Sequence, residues 1–285
     1  MPEVKLNITS THFPFQFSFK QPQTTAIMSL RTTISIVSVL LAMQSGVMAA
    51  LNPNCAPGGN FDMKPWKLQL PIGNPGQPQT ISSSQLQGCG GYQDPGHKYF
   101  FTESGDGALV MKVPGSPDSA GCVTTPNSKH CRTELREANP SDGSAASWSP
   151  NAAKNRLYAS LSVAYADESS HGSVIGQIHI DDSISTKPVC ELFYNSKGDI
   201  SMGVEQTRAG NNLLFTPIGN IPVGQQFSYE IRYESNVLSV GINGGAQKVL
   251  DTYQLNAPNS YFKVGNYNQG NNPSDMHFLA IVVTH

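Results

Sequence analysis

Tyr261-Phe262-Lys263-Val264-Gly265-Asn266-Tyr267-Asn268-Gln269 alternates with a period of two, the mark of an extended strand whose side chains point to opposite faces. Tyr261, Lys263, Gly265, Tyr267 and Gln269 share one face, and Phe262, Val264, Asn266 and Asn268 share the other. The first face is aromatic, polar and cationic around a residue with no side chain. Such a face suits a groove that holds a charged, ring-shaped ligand. Taken alone, an outer strand with ordinary amphipathic side chains reads the same way.

Two other stretches repeat the pattern. In Arg132-Thr133-Glu134-Leu135-Arg136 the charged residues share one face, and Thr133 and Leu135 the other. In Gln177-Ile178-His179 the polar pair lies opposite Ile178. Three short strands thus each offer a face of groups that bind anions or move protons.

The rest of the chain keeps the same period. Residues 66–70 (WKLQL) read as a first strand, stopped by Pro71. Residues 99–101 and 108–113 flank Gly105-Asp106-Gly107, a hairpin signal. Residues 157–166, 174–180 and 191–194 are strand-like, and 227–233 (FSYEIRY) alternates cleanly. Val237–Ile242 can pair back on it across Ser235-Asn236. Residues 276–283 are apolar on both faces, as the interior of a sandwich allows. Helical periodicity is scarce, and turn signals separate strands every ~8–15 residues. The expected fold class is all-β, an antiparallel β-sandwich forming one domain over residues 50–285, with no internal repeat or linker.

Composition agrees. The chain has 285 residues with 26 Gly, 20 Pro and only 13% charged residues, unlike a helical bundle or a disordered tail. Residues 34–43 (ISIVSVLLAM) are an apolar run of secretory length, too short to span a bilayer. Arg31 precedes the run, and Val47-Met48-Ala49 follows as a small-residue cleavage signal. The expectation is an upstream extension over 1–27, a signal peptide over 28–49 and a secreted, monomeric mature chain from Ala50. No membrane association is expected once the signal is removed; a membrane anchor or transit peptide is the competing reading. Removing Lys5, Lys20, Arg31 and Glu3 takes the chain from 18 basic and 20 acidic residues to 15 and 19. With no general basic field, nucleic acid is not an expected partner. A polyanion must be held by local cations, for which Arg132, Arg136 and Lys263 are the candidates.

The five cysteines, Cys55, Cys89, Cys122, Cys131 and Cys190, all follow residue 49. No C-x-x-C pair occurs, so a zinc site is not expected. Export favours disulfides. Cys122 and Cys131 bracket a short loop just ahead of Arg132 and are expected to pair, contributing about 2–3 kcal/mol by the chain-entropy argument. Cys55 with Cys89 would form a second bridge and leave Cys190 as a buried thiol. The mature region has no N-x-S/T sequon with x other than Pro, so N-glycosylation is not expected. His97, His130, His171, His277 and His285 have no partner at metal-ligand spacing.

RTELR, QIH and YFKVGNYNQ, in this order and at these separations, closely resemble the three signature strands of alginate lyases of polysaccharide lyase family 7. The resemblance runs from about Phe61 to His285. One departure is visible: Val264 stands where alanine is common, on the face turned from the groove. The resemblance implies a jelly roll whose concave sheet is the substrate groove, and cleavage of a 4-linked polyuronate, alginate, by β-elimination. A base removes the C5 proton and the 4-linked oxygen leaves. The barrier is the weak acidity of a C–H beside a carboxylate, so that carboxylate must be neutralised and the leaving oxygen protonated. The resemblance implies Arg132 and Gln177 for neutralisation, His179 as base and Tyr267 as proton donor. A guanidinium suits the first role because it binds a carboxylate bidentately. Arg136 and Lys263 are expected on neighbouring uronates, and Tyr261 and Gln269 on sugar. Glu134 is expected to orient the two arginines, with a purely structural ion pair as the alternative. No metal or cofactor is required, since Arg132 and Gln177 supply the neutralisation. In that family the QIH form is associated with guluronate-containing substrate.

Three other functions compete. A glycoside hydrolase needs two carboxylates flanking the scissile bond, whereas Glu134 and Glu137 lie on opposite strand faces and no E-x-D-x-x-E run occurs. A carbohydrate-binding module of the same fold needs no His/Tyr pair. A lyase for another polyuronate, such as glucuronan, would share the elimination chemistry and differ in sugar contacts.

Overall fold

Along residues 227–234 every second side chain is buried: Phe227, Tyr229, Ile231 and Tyr233 face inward, while Ser228, Glu230, Arg232 and Glu234 are partly exposed. This is a strand with one face on a core, and the pattern recurs through the structure. The computed structural model describes residues 50–126, 128–210 and 212–285. The expected upstream extension over 1–27 and signal peptide over 28–49 lie outside these residues.

In chain order the strands are β1 (Trp66–Asn74), β2 (Gln77–Ile81), β3 (Phe100–Thr102), β4 (Leu109–Val113), β5 (Arg132–Glu137), β6 (Arg156–Tyr165), β7 (Ser173–Ile180) and β8 (Pro188–Tyr194). They continue as β9 (Asp199–Val204), β10 (Leu214–Asn220), β11 (Phe227–Glu234), β12 (Val237–Ile242), β13 (Lys248–Leu250), β14 (Ser260–Tyr267) and β15 (Ser274–Thr284). An eight-stranded sheet runs β10-β9-β8-β7-β14-β5-β1-β2, and a seven-stranded sheet runs β13-β12-β11-β6-β15-β4-β3. The pairs on which the site depends, β14 with β5 and with β7, are antiparallel, as an antiparallel sandwich requires.

The core lies between the sheets. The larger sheet contributes Leu68, Leu135, Ile178, Phe262 and Val264, and the smaller Leu109, Leu161, Ile231 and Phe278, all inaccessible to water. Each such side chain contributes about 1.5–3 kcal/mol on burial. Tyr229 crosses the core to donate its hydroxyl to the Ile175 carbonyl at 2.7 Å. It passes under Gly176, where a Cβ would lie 2.4 Å from the phenol oxygen. Two disulfides, Cys55–Cys89 and Cys122–Cys131, are formed, and Cys190 is a free, buried thiol. Burial pushes that thiol up to about 12, so it is inert as a nucleophile.

Two differences from the sequence reading have physical causes. Pro71 does not stop the first strand, which continues to Asn74. Pairing of β1 with β5 ends at Gln69, and pairing with β2 shifts register between Gln69 and Gly73, so Pro71 sits where no ladder hydrogen bond needs its missing N–H. Strands β2, β9, β10 and β13 were not expected. Strands β2 and β10 are sheet edges that carry Pro78 and Pro217 and expose most of their side chains, so they lack an apolar period.

Candidate active site

The three polar faces meet because their strands are neighbours in the order β7-β14-β5. Lys263 stands opposite Arg136 on one side and Gln177 on the other, and Gln177 stands opposite Glu191 of β8. Tyr261 pairs with His179, and Tyr267 with Arg132. The alternate residues turn away. Ile178, Phe262 and Val264 enter the core, and Thr133 and Asn266 reach the other sheet, donating to the carbonyls of Lys112 and Met111. Gly265 occupies the middle of the row with φ +151°, and a Cβ there would lie 2.6 Å from the Thr133 carbonyl oxygen. That close approach at a positive φ is open to glycine alone. The resulting cleft of about 450 Å³ is lined by Arg132, Gln177, His179, Tyr261, Lys263 and Tyr267, among others.

His179 is held in one tautomer. Its Nδ1 lies 2.8 Å from the Ile180 carbonyl, which can only accept, and 2.9 Å from the Tyr261 hydroxyl. Tyr261 donates its own proton to Asp182 Oδ1 at 2.9 Å, so it too presents a lone pair to Nδ1–H. The proton of the neutral ring therefore sits on Nδ1, and Nε2 keeps its basic lone pair. Burial, and then Lys263, Arg136 and Arg132, holds the ring well below the ordinary histidine range. His179 is neutral near pH 7.

Arg132 is nearly buried. It donates to Glu134 and to Ser128 Oγ, each at 3.2 Å, and its guanidinium carbon lies 3.6 Å from the centre of the Tyr267 ring. Glu134 also accepts from Gln177 Nε2 at 2.5 Å. Glu134 thus fixes Arg132 and Gln177 together, rather than two arginines; Arg136 is held by Asp182 at 2.5 Å and by the Tyr261 ring at 4.4 Å. The Tyr267 hydroxyl lies 3.3 Å from Ser128 Oγ. Burial raises the phenol above its ordinary value against the pull of Arg132, so it carries its proton. Lys263 is buried, which lowers its ammonium to about 8, with Glu134 acting in the opposite direction.

Gln269 falls beyond the end of β14, its side-chain amide turned back to the Tyr267 carbonyl at 3.3 Å and its backbone N–H donating to Asp167. Three groups in this site escaped the sequence reading. Ser128 lies inside the loop closed by Cys122–Cys131, Asp182 follows His179 by three residues, and Glu191 is the polar residue of a short apolar strand. Among the described residues no group of three or more His, Cys, Asp and Glu side chains is arranged to hold a metal.

A family model described as alginate lyase matches residues 61–285. An alginate lyase from Klebsiella pneumoniae is 27% identical over 272 residues, covering 75% of this chain and 84% of that protein. The solved structure of alginate lyase A1-II′, a member of polysaccharide lyase family 7, is 28% identical and superposes with a TM-score of 0.65, covering 81% of this chain and 98% of that one. An alginate lyase from Pseudomonas aeruginosa is 31% identical with a TM-score of 0.64, covering 79% and 99%.

Proposed function

Because the chain belongs to the alginate lyase family, whose model spans residues 61–285, we propose that it eliminates across guluronate-containing alginate using His179 and Tyr267 as separate proton handlers. Family membership makes it a polysaccharide lyase with the jelly-roll fold; the residue roles and the sugar preference are our reading. Arg132 and the second amide hydrogen of Gln177 bind the carboxylate of the reacting uronate and take up the charge that develops on it. His179 Nε2 accepts the C5 proton. The electrons of that bond form the C4=C5 double bond, the C4–O4 bond breaks, and Tyr267 gives its proton to O4. Arg136 and Lys263 bind neighbouring carboxylates, and Tyr261 and Gln269 contact sugar.

The observation that carries this reading is the fixed Nδ1 proton of His179, which leaves a neutral imidazole with a free basic nitrogen among cations. Mannuronate and guluronate are C5 epimers, so their C5 protons lie on opposite faces relative to O4. The guluronate reaction is an anti process and needs two groups on opposite sides of the ring. The mannuronate reaction is syn, and Tyr267 alone can take and return the proton. Ile178 is fully buried, so its part in the preference acts through the seating of β7.

The test is the initial rate of unsaturated product on polyguluronate, polymannuronate and glucuronan at saturating substrate. We expect polyguluronate to be the better substrate, Tyr267→Phe to abolish both alginate activities, and His179→Ala to reduce polyguluronate cleavage more than polymannuronate cleavage. Equal fractional losses for His179→Ala would overturn the split roles, and a preference for glucuronan would overturn the substrate. We further propose that the protein acts as a secreted monomer beginning near Ala50. The disulfides support this, and intact mass and sedimentation of material from culture medium test it.

A further inference from the structure

Glu191 is one of three acids, with Asp182 and Glu205, in a cleft that also holds Arg132, Arg136, Lys187 and Lys263. It lines the cleft on β8, in the same row as Lys263 and Gln177. The neighbouring acids are occupied: Glu134 by Arg132 and Gln177, Asp182 by Arg136 and Tyr261. Among the described residues Glu191 accepts no hydrogen bond and forms no ion pair; Lys263 and Arg132 act on it only at longer range. Its strand neighbour across the sheet is Gly203, which adds no side chain to the floor. Leu213 and Phe215 wall that side, lying 3.0 and 3.1 Å from where a Gly203 Cβ would stand. Burial drives the Glu191 carboxyl up to about 7, with Lys263 and Arg132 opposing and Glu134 and the partnered Glu205 adding to the rise. At about pH 8 it is therefore an unpartnered anion.

An ionised carboxylate is an acceptor only. It repels the carboxylates of a polyuronate and attracts the other polar groups on that chain, the ring hydroxyls. A 4-linked uronate keeps two adjacent hydroxyls, on C2 and C3, which match the two oxygens of one carboxylate. We propose that Glu191 is a specificity-determining residue that accepts hydrogen bonds from the free 2- and 3-hydroxyls of a uronate beside the one being cleaved, so that the enzyme rejects chains acylated on those oxygens. An ester removes a donor and adds bulk against Leu213. The inference rests on the lyase reading of the groove.

The test measures kcat and KM at about pH 8 for wild type, Glu191→Gln and Glu191→Ala on alginate oligomers, unmodified and chemically O-acetylated. Wild type should show a KM about ten-fold lower on unmodified chains, the effect of one charge-assisted contact. Glu191→Ala should raise KM on unmodified chains by about that factor, with kcat nearly unchanged and KM on acetylated chains nearly unchanged, so that discrimination collapses. Glu191→Gln keeps one acceptor and should fall between. In Glu191→Ala, equal KM increases on both substrates, or a KM on unmodified chains below that of wild type, would overturn the inference. If Glu191→Ala does not fold, as judged by its melting curve, Glu191→Gln decides with the same signs. A wild type that makes no unsaturated product from unmodified alginate defeats the lyase reading; an active wild type with no discrimination defeats this inference alone.

Discussion

Tyr261→Phe isolates how His179, the proposed base, is held. The substitution keeps the ring under Arg136 and removes one oxygen. That oxygen accepts from His179 Nδ1 at 2.9 Å and donates to Asp182 at 2.9 Å. The Ile180 carbonyl remains 2.8 Å from Nδ1, so the tautomer survives and only one of its two restraints is lost. Losing one neutral hydrogen bond costs about 0.5–1.5 kcal/mol, or about two- to twelve-fold in kcat. Losing the tautomer altogether would cost about 10⁴-fold, the scale seen when a catalytic histidine is left in the wrong form. The assay is kcat on polyguluronate as a function of pH. On the proposed mechanism His179 must be neutral to act, and burial with Lys263 depresses its proton affinity, so activity should fall only as pH drops well below the ordinary histidine value. The groups that set that value do not include Tyr261, so the acid limb should stay in place in the variant. A loss near 10⁴-fold would refute the claim that Ile180 suffices to hold the proton. An unchanged kcat would show that Tyr261 restrains nothing.

Other outcomes follow from the same geometry. Arg132→Lys should lower kcat by about two to three powers of ten, because a point charge cannot replace a fork that meets Glu134, Ser128 and the Tyr267 ring at once; near-normal turnover in a protein with unchanged circular dichroism would make Arg132 peripheral. Replacing both Cys122 and Cys131 by Ser should cost about 2–3 kcal/mol in urea unfolding. It should also reduce kcat, since the loop they close carries Ser128, which touches Arg132 and Tyr267; an unchanged midpoint would count against it. His277 has its proton affinity raised, first by its contact with Asp275, whose Oδ1 lies 3.1 Å from its Nε2. Its contribution to stability is therefore fully present below the unfolded histidine value and is lost as pH rises through the folded one. His277→Gln should accordingly lower Tm more at about pH 5 than at about pH 8, and equal shifts at both would contradict the assignment.

The interior strands and most of the side chains that line the cleft were legible in the sequence because both depend on the same period of two. Where a strand has one face on the core and the other in the groove, as in residues 132–136, 177–179 and 261–267, alternation separates Leu135, Ile178 and Phe262 from Arg132, His179 and Lys263. Edge strands β2 and β10 carry no such contrast, having solvent on most of their surface, and they went unseen. Ser128 and Asp182 were hidden for another reason. Each also has a partner far along the chain, Tyr267 for Ser128 and Tyr261 for Asp182, and no local spacing records such a contact. Glu191 was invisible because nothing in residues 188–194 tells which way that strand faces; register with Gln177 supplies the answer. The Cys122–Cys131 bridge was legible through its short loop, and Cys55–Cys89 followed only as the next pair available. Glu134 was only partly so, since which groups it engages is a matter of distances across β5 and β7.

The strand order has a consequence for how the protein comes into being. Both β14 and β15 lie inside their sheets, and they are the last two strands in chain order. Until residues 260–284 have been synthesised, β5 has no partner on the side where β7 belongs, and β6 cannot be joined to β4. Pairings this distant in sequence close long loops and form slowly. A nascent chain therefore has neither a closed core nor a groove, and it carries the unpaired edges of β5, β6 and β7 until its final segment arrives. Those exposed edges make the interval before completion the period of greatest aggregation risk. Loss of the final strands by truncation would leave each sheet in two pieces instead of trimming an edge.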